Sequence, residues 1–297
     1  SRILRLFRSR EIVRIAWRDL TGAAGLAETM EDLTAFAETV LDRSLALLYE
    51  WQCESYGKPF SPDGRQQRLV VVGMGKLGAR ELNFSSDIDL IFAFPEAGET
   101  RGVPRPKTNE QFFASLCRNY LNVLGKTTAD GPLFRVDVRL RPYGENGPLV
   151  MSFDATETYY ESQGREWERY AWIKGRCVAG DFSESQRLLA DLKPFIYRRY
   201  LDYGAFESLR DMKRMISMEV DRKGVKGNIK LGRGGIREIE FFGQTFQLIR
   251  GGVLPDLQEQ RIQKVMELLA EKKIIYETTC AELLESYEFL RNTEHRL

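Results

Sequence analysis

In the N-terminal part of the chain, apolar residues recur at intervals of three and four, as in Leu33, Phe36, Ala37, Val40, Leu41, Leu45 and Leu48. That spacing predicts a helical leader from about Ile3 to Tyr56. The stretch "GKPFSPDGRQQ", Gly57 to Gln67, interrupts it with Gly, Pro and Asp and reads as a loop. The period then changes. "RLVVVGMG" is a β-branched run closed by glycines, and Asp87 to Phe94 alternates. As a strand, the latter places Asp87, Asp89, Ile91 and Ala93 on one face and Ile88, Leu90, Phe92 and Phe94 on the other. A helix is predicted over Asn109 to Leu124, a strand over Gly131 to Pro142 and a short strand over Gly147 to Phe153. Beyond Asp154 helical spacing returns: Thr156 to Gln163, Trp167 to Lys174, Ser183 to Tyr200, Phe206 to Arg222, Ile236 to Ile249, Arg261 to Ala270, and Ile274 to the end. The expected organisation is α+β, with an N-terminal helical segment over 1–65, an α/β core over 66–153 and a helical domain over 154–297.

Composition narrows the chemistry. With 297 residues and 43% hydrophobic content the chain can bury a substantial core. Its 44 Lys and Arg balance 43 Asp and Glu, which argues against a general nucleic-acid or membrane-surface binder. Cys53, Cys117, Cys177 and Cys280 are widely spaced without a C-x-x-C pair, the pattern of free thiols in a reducing cytoplasm. No apolar run is long enough to span a bilayer, and arginines interrupt "SRILRLFRSREIVRIAW", so no secretion signal is expected. The only histidine, His295, falls in a charged helical pattern and reads as a surface residue. Histidine-dependent chemistries are therefore set aside, and any catalysis must run on carboxylates, cations and backbone.

Asp87 and Asp89 open an apolar strand and point the same way. Neighbouring carboxylates repel, and burial raises the cost of ionising both, so an unaccompanied pair would keep a proton on one member. A divalent cation removes that conflict: hard oxygen ligands on a strand end suit Mg²⁺ or Mn²⁺ and leave positions for phosphate. The plainer reading is a strand that begins with two solvated aspartates. In the strand "FRVDVRLRP", Val136, Val138 and Leu140 share one face and Asp137, Arg139 and Arg141 the other. Were it to lie beside the first, Asp87, Asp89 and Asp137 could converge on two ions, with Arg139 and Arg141 gripping phosphate. Those arginines could equally pair with the carboxylates or with Glu145. "GMGK" after a strand lets backbone N–H groups approach phosphate, with Lys76 adding charge, though it fits neither G-x-G-x-x-G nor G-x-x-x-x-G-K-[ST]. "KGVKGNIKLGRGGIREIEFF" gathers Lys223, Lys226, Lys230, Arg233 and Arg237 before a helix N-terminus, either a phosphate or substrate site or a basic loop with an Arg237/Glu240 pair. "YYESQGREWERYAW" reads as helix core, with Trp167, Tyr170 and Ala171 packing inward.

The order of strand, glycine turn, D-x-D strand, helix and a strand with one more Asp is similar to the nucleotidyltransferase fold of the DNA polymerase β superfamily. "GMGKLGARELNFSSDIDLIF", "FRVDVRLRPYGENGPLVMSF", "YYESQGREWERYAWIKGRCVAGD" and "GRGGIREIEFFGQTFQLIRGG" go further. In order, they resemble the bifunctional glutamine synthetase adenylyltransferase/adenylyl-removing enzymes, and their wording resembles the N-terminal of that family's two copies. The resemblance implies a polymerase-β-like core flanked by helices, with Asp87, Asp89 and Asp137 as catalytic metal ligands for two Mg²⁺ or Mn²⁺ ions. It implies Gly73 and Gly75 as the phosphate-facing turn. The superfamily turn is usually Gly-Ser; here it reads Gly75-Lys76, and Ser85 or Ser86 either supplies the missing hydroxyl or caps the turn. The implied reaction is phosphorolysis, in which phosphate attacks the AMP–tyrosine ester of adenylylated glutamine synthetase and ADP leaves. A PII-type signalling protein is an implied partner. ATP-dependent adenylylation by the same fold, or a degenerate nucleotide-sensing module, are the alternatives.

Overall fold

The computed structural model describes residues 2–198 and 228–296, with positions 207, 210, 211, 213, 214 and 218 between them. Lys223, Lys226 and most of the predicted helix Phe206 to Arg222 lie outside the described residues, as does the end of the one predicted over Ser183 to Tyr200. The chain forms two compact units, 1–163 with 175–192, and 164–174 with 193–297. This division differs from one at 65 and 153, because the leader helices and a late strand belong to the sheet's own core.

In the first unit the leader is two helices, α1 (Arg2–Leu20) and α2 (Leu26–Tyr56). The loop that follows contains β1 (Lys58–Phe60), paired antiparallel with β4 (Glu99–Arg101). The main sheet runs β5 (Val136–Asp137), β3 (Ile88–Phe94), β2 (Val70–Met74), β7 (Arg176–Gly180), and β6 (Val150–Ser152) also pairs with β3. β2 is antiparallel to both its neighbours, whereas β5 and β6 run parallel to β3. Val70, Val71 and Val72 are fully buried, as expected of a central strand covered on both faces. The α2 stripe Leu33, Ala37, Val40, Leu41 and Leu45 closes over it together with Phe112, Phe113 and Tyr120 of α4 (Asn109–Gly125). Each such apolar side chain is stabilising by about 1.5–3 kcal/mol relative to exposure. Polar ties fix the layers: Tyr49 Oη donates to Gln67 O at 2.7 Å and Tyr120 Oη to Leu41 O at 2.8 Å. The α4 start is set by a capping box, Thr108 with Gln111.

Two readings of the sequence change here. The strand expected over Gly131 to Pro142 is only Val136–Asp137, and the chain then turns away through residues 138–149 before β6. The region after Asp154 is not wholly helical, since α5 (Phe153–Gln163) and α6 (Glu166–Trp172) precede β7. Arg176 anchors that strand by donating to Gly78 O at 2.9 Å and Leu77 O at 3.1 Å, and it pairs with Glu38.

The second unit is helical among its described residues. Ile236–Arg250, Ile262–Glu271 and Glu277–Arg296 share a core of Ile236, Ile239, Val265, Met266, Leu269 and Tyr287. In α6 the buried tryptophan is Trp172, whereas Trp167 is exposed. Arg169 is buried and donates to Ile196 O at 2.8 Å and Leu248 O at 3.0 Å. Lys174 reaches Glu240 at 2.8 Å, so Glu240 pairs with a lysine rather than only within its own helix. All four cysteines are buried and unpaired, and His295 is half-buried. Among the described residues no helix is long and apolar enough to cross a membrane.

Candidate active site

The aspartates meet at one end of the main sheet. Asp89 is in register with Met74 of β2 on one side and with Asp137 of β5 on the other. Adjacent strands lie about 4.8 Å apart, so the Asp89 and Asp137 carboxylates leave neighbouring backbone positions. Gly75 follows β2 directly and has φ +54°, and a Cβ built there would stand 2.9 Å from Asp89 Oδ2. Glycine therefore serves twice: it permits the left-handed turn and keeps open a gap against the carboxylate. Gly73 has another role. It lies within β2, and a Cβ there would fall 2.6 Å from Val178 Cγ1 and 2.9 Å from Leu77 Cγ, so it is a packing glycine rather than part of the turn. Lys76 is half-buried in the short helical turn Gly75–Gly78.

Arginines accompany the outer two carboxylates. Asp137 accepts from Arg139 Nε at 2.9 Å and from the Arg139 backbone N–H at 2.8 Å. The Arg139 side-chain bond holds the Asp137 carboxyl below the usual carboxylate range, with partial burial opposing it. Asp87, largely exposed, pairs with Arg135 Nε at 2.6 Å. Because the strand stops at Asp137, Arg139 and Arg141 do not extend one face as the alternation predicted. Arg141 instead donates to Val138 O at 2.8 Å, Glu145 O at 3.1 Å, Pro148 O at 3.2 Å and Gly147 O at 3.3 Å. Its guanidinium knits the 138–149 loop. Ser86 caps the turn through Asn83: its Oγ bonds Asn83 Oδ1 and accepts from the Asn83 N–H at 3.3 Å. Ser85 is exposed, and its carbonyl accepts from Arg135. Arg233 and Arg237 belong to the second unit and are exposed, at the loop and first turn entering Ile236–Arg250.

A family model described as glutamate-ammonia ligase adenylyltransferase matches residues 1–191, and one described as GlnD PII-uridylyltransferase matches residues 210–297. The bifunctional glutamine synthetase adenylyltransferase/adenylyl-removing enzyme of Nitrosococcus oceani is 57% identical over 296 residues, 99% of this chain and 30% of its own length. The enzymes of the same name from Thioalkalivibrio sulfidiphilus and Hahella chejuensis are 54% and 53% identical across all of this chain. The chain belongs to this family.

It spans about a third of the length of these adenylyltransferase/adenylyl-removing relatives and corresponds to their N-terminal part. For an adenylyltransferase-type site the donor set is apt in kind: oxygen only, two carboxylates on adjoining strands, and the Gly75 gap beside Asp89. Those donors fit Mg²⁺ or Mn²⁺, although among the described residues no three His, Cys, Asp or Glu are gathered as a ready cluster. Arg135 and Arg139 occupy two of the three carboxylates instead. Arg135 is the site residue that sequence reasoning passed over. The signal was present: it stands two residues before Asp137 just as Asp87 stands two before Asp89, so parallel pairing brings Arg135 to Asp87.

Proposed function

We propose that this chain removes AMP from adenylylated glutamine synthetase by phosphorolysis, on a polymerase-β-like nucleotidyltransferase core. The observation that carries this reading is the gap kept by Gly75 against Asp89, with Asp137 in register across the strand boundary. A phosphate oxygen attacks the phosphorus of the AMP–tyrosine ester and forms the new P–O bond. The bond to the tyrosine oxygen breaks, that oxygen takes a proton carried in by the phosphate, and ADP departs. Phosphate brings its own nucleophilic oxygen, so positioning and charge stabilisation suffice without a strong base. The sole histidine, His295, lies in the second unit. Asp87, Asp89 and Asp137 would hold one or two Mg²⁺ or Mn²⁺ ions, which when bound supply neutralising charge at the phosphates. Arg135 and Arg139 balance the outer carboxylates here; once cations take those carboxylates, both guanidiniums are free to grip phosphate. Correspondence to the N-terminal copy, for which the resemblance implies removal of AMP, favours removal over addition. A PII-type protein is the regulatory partner we favour, supported by the uridylyltransferase-like match over 210–297.

The adenylylating reaction from ATP is the second reading, favoured by the adenylyltransferase description matched over 1–191. Incubation with adenylylated glutamine synthetase, Mg²⁺ and labelled phosphate separates the two. The label should appear in the β position of ADP, release should stop without phosphate, and Asp89→Asn should abolish it. AMP as the main product would mean hydrolysis. ATP consumption with unmodified glutamine synthetase would assign the chain to addition.

A further inference from the structure

Beside the D-x-D strand, and separate from the Gly75 gap, lies a cavity of about 320 Å³ between α1, α2, the 82–86 turn and the 132–135 segment. Its walls are mainly apolar, Ile12, Leu33, Phe36 and Phe134 among them, yet it contains two guanidiniums, Arg8 and Arg135. Among the described residues no Asp or Glu lines it. Arg8 is the unusual member. Its Nε is buried without a hydrogen-bond partner, and burial pushes the guanidinium pKa down. Arg8 is half-buried, so part of its guanidinium is desolvated against apolar walls, a cost that an anion entering the cavity would offset. Arg135 has partners, but exposed ones, the Asp87 carboxylate at 2.6 Å and the Ser85 carbonyl.

We propose that this cavity is an effector site for a small amphipathic carboxylate, whose charged end takes Arg8 and draws Arg135 from Asp87 while its apolar body lies along Phe36 and Phe134. The volume suits a ligand of a few carbons and is at the small end of ligand pockets, about 300–1,000 Å³. Occupancy would bare the Asp87 carboxylate at the sheet end, so the ligand acts on the site through Arg135. Binding itself rests only on the cavity and stands or falls independently of the AMP-transfer reading.

The test is calorimetric titration of the chain with hexanoate, with hexanamide as the neutral isostere. Hexanoate should bind saturably and at least about tenfold more tightly than the amide, in keeping with a charge-assisted contact. Arg8→Met should erase that preference and Arg8→Lys should restore part of it. Since Arg8 Nε bonds nothing, Arg8→Met should melt no lower than wild type, which separates lost binding from lost folding. Absent hexanoate binding, equal affinity for acid and amide, or undiminished binding by Arg8→Met would each overturn the proposal.

Discussion

Replacing Gly75 by alanine tests the site at its narrowest point. Two penalties act there. The backbone has φ +54°, which costs a residue with a Cβ about 1–2 kcal/mol. The new methyl group would also stand 2.9 Å from Asp89 Oδ2, closer than real Cβ contacts come, so the carboxylate must leave its position. An off-rotamer shift of that kind costs about 0.5–1.5 kcal/mol in stability. Its effect on rate is larger, because displacing a reacting group by about 1 Å costs about a hundredfold. Gly22 supplies the control: its φ is +71°, and nothing lies within 4 Å of a Cβ placed on it. Gly22→Ala and Gly75→Ala should therefore share the backbone penalty, with Gly75→Ala losing about 0.5–1.5 kcal/mol more, at roughly 2–4 °C in Tm per kcal/mol. Only Gly75→Ala should lose the proposed phosphate-dependent release of ADP, by about a hundredfold, with Tm and initial rate measured on the same samples. Equal rates for the two variants would show that the gap beside Asp89 is not where the chemistry takes place.

Two further outcomes follow from ion pairs. Lys174 and Glu240 form a largely buried pair at 2.8 Å, so Lys174→Met and Glu240→Leu should be energetically coupled, the double variant losing less stability than the two single losses added together. Additive losses in urea unfolding would contradict that. Asp137 has its pKa lowered by Arg139, so the pair's contribution is present above the ordinary value of 3.8 and fades as pH falls through the lower folded value. Arg139→Ala should thus be slightly less stable than wild type at about pH 6 and indistinguishable from it in strong acid, and a gap that widens on acidification would reverse the assignment.

What could be read from the chain was what period and composition carry. β2 and β3 announce themselves because a buried β-branched run and a strict alternation are local signals, and the D-x-D carboxylates come with them. Where a strand ends is not local. Val136 and Asp137 pair with Ile88 and Asp89, but the alternation continues past that partner, so Arg139 and Arg141 looked like ladder residues. The reason they are not is a set of loop carbonyls that only the folded chain brings to Arg141. β7 was illegible for a related reason: four residues between Gly175 and Gly180 carry little contrast, and their identity as a strand lies in the pairing of Val70 to Gly73 with Arg176 to Gly180. The packing role of Gly73 was hidden with it, because Val178, against which Gly73 lies, belongs to that same strand.

The late arrival of β7 has a consequence for how this protein can be divided. The sheet is not a contiguous stretch of sequence: residues 164–174 interrupt it as an excursion into the other unit, and the chain returns to lay down the outermost strand. A fragment cut after residue 153 or 163 would keep Asp87, Asp89 and Asp137 yet strip one side of β2, leaving the N–H and C=O groups of Val70, Val71 and Val72 as a bare apolar edge. Such an edge templates pairing with other chains, so the fragment would associate before it could be assayed. A fragment that keeps these aspartates beside a fully paired β2 must therefore reach β7 and carry the excursion with it.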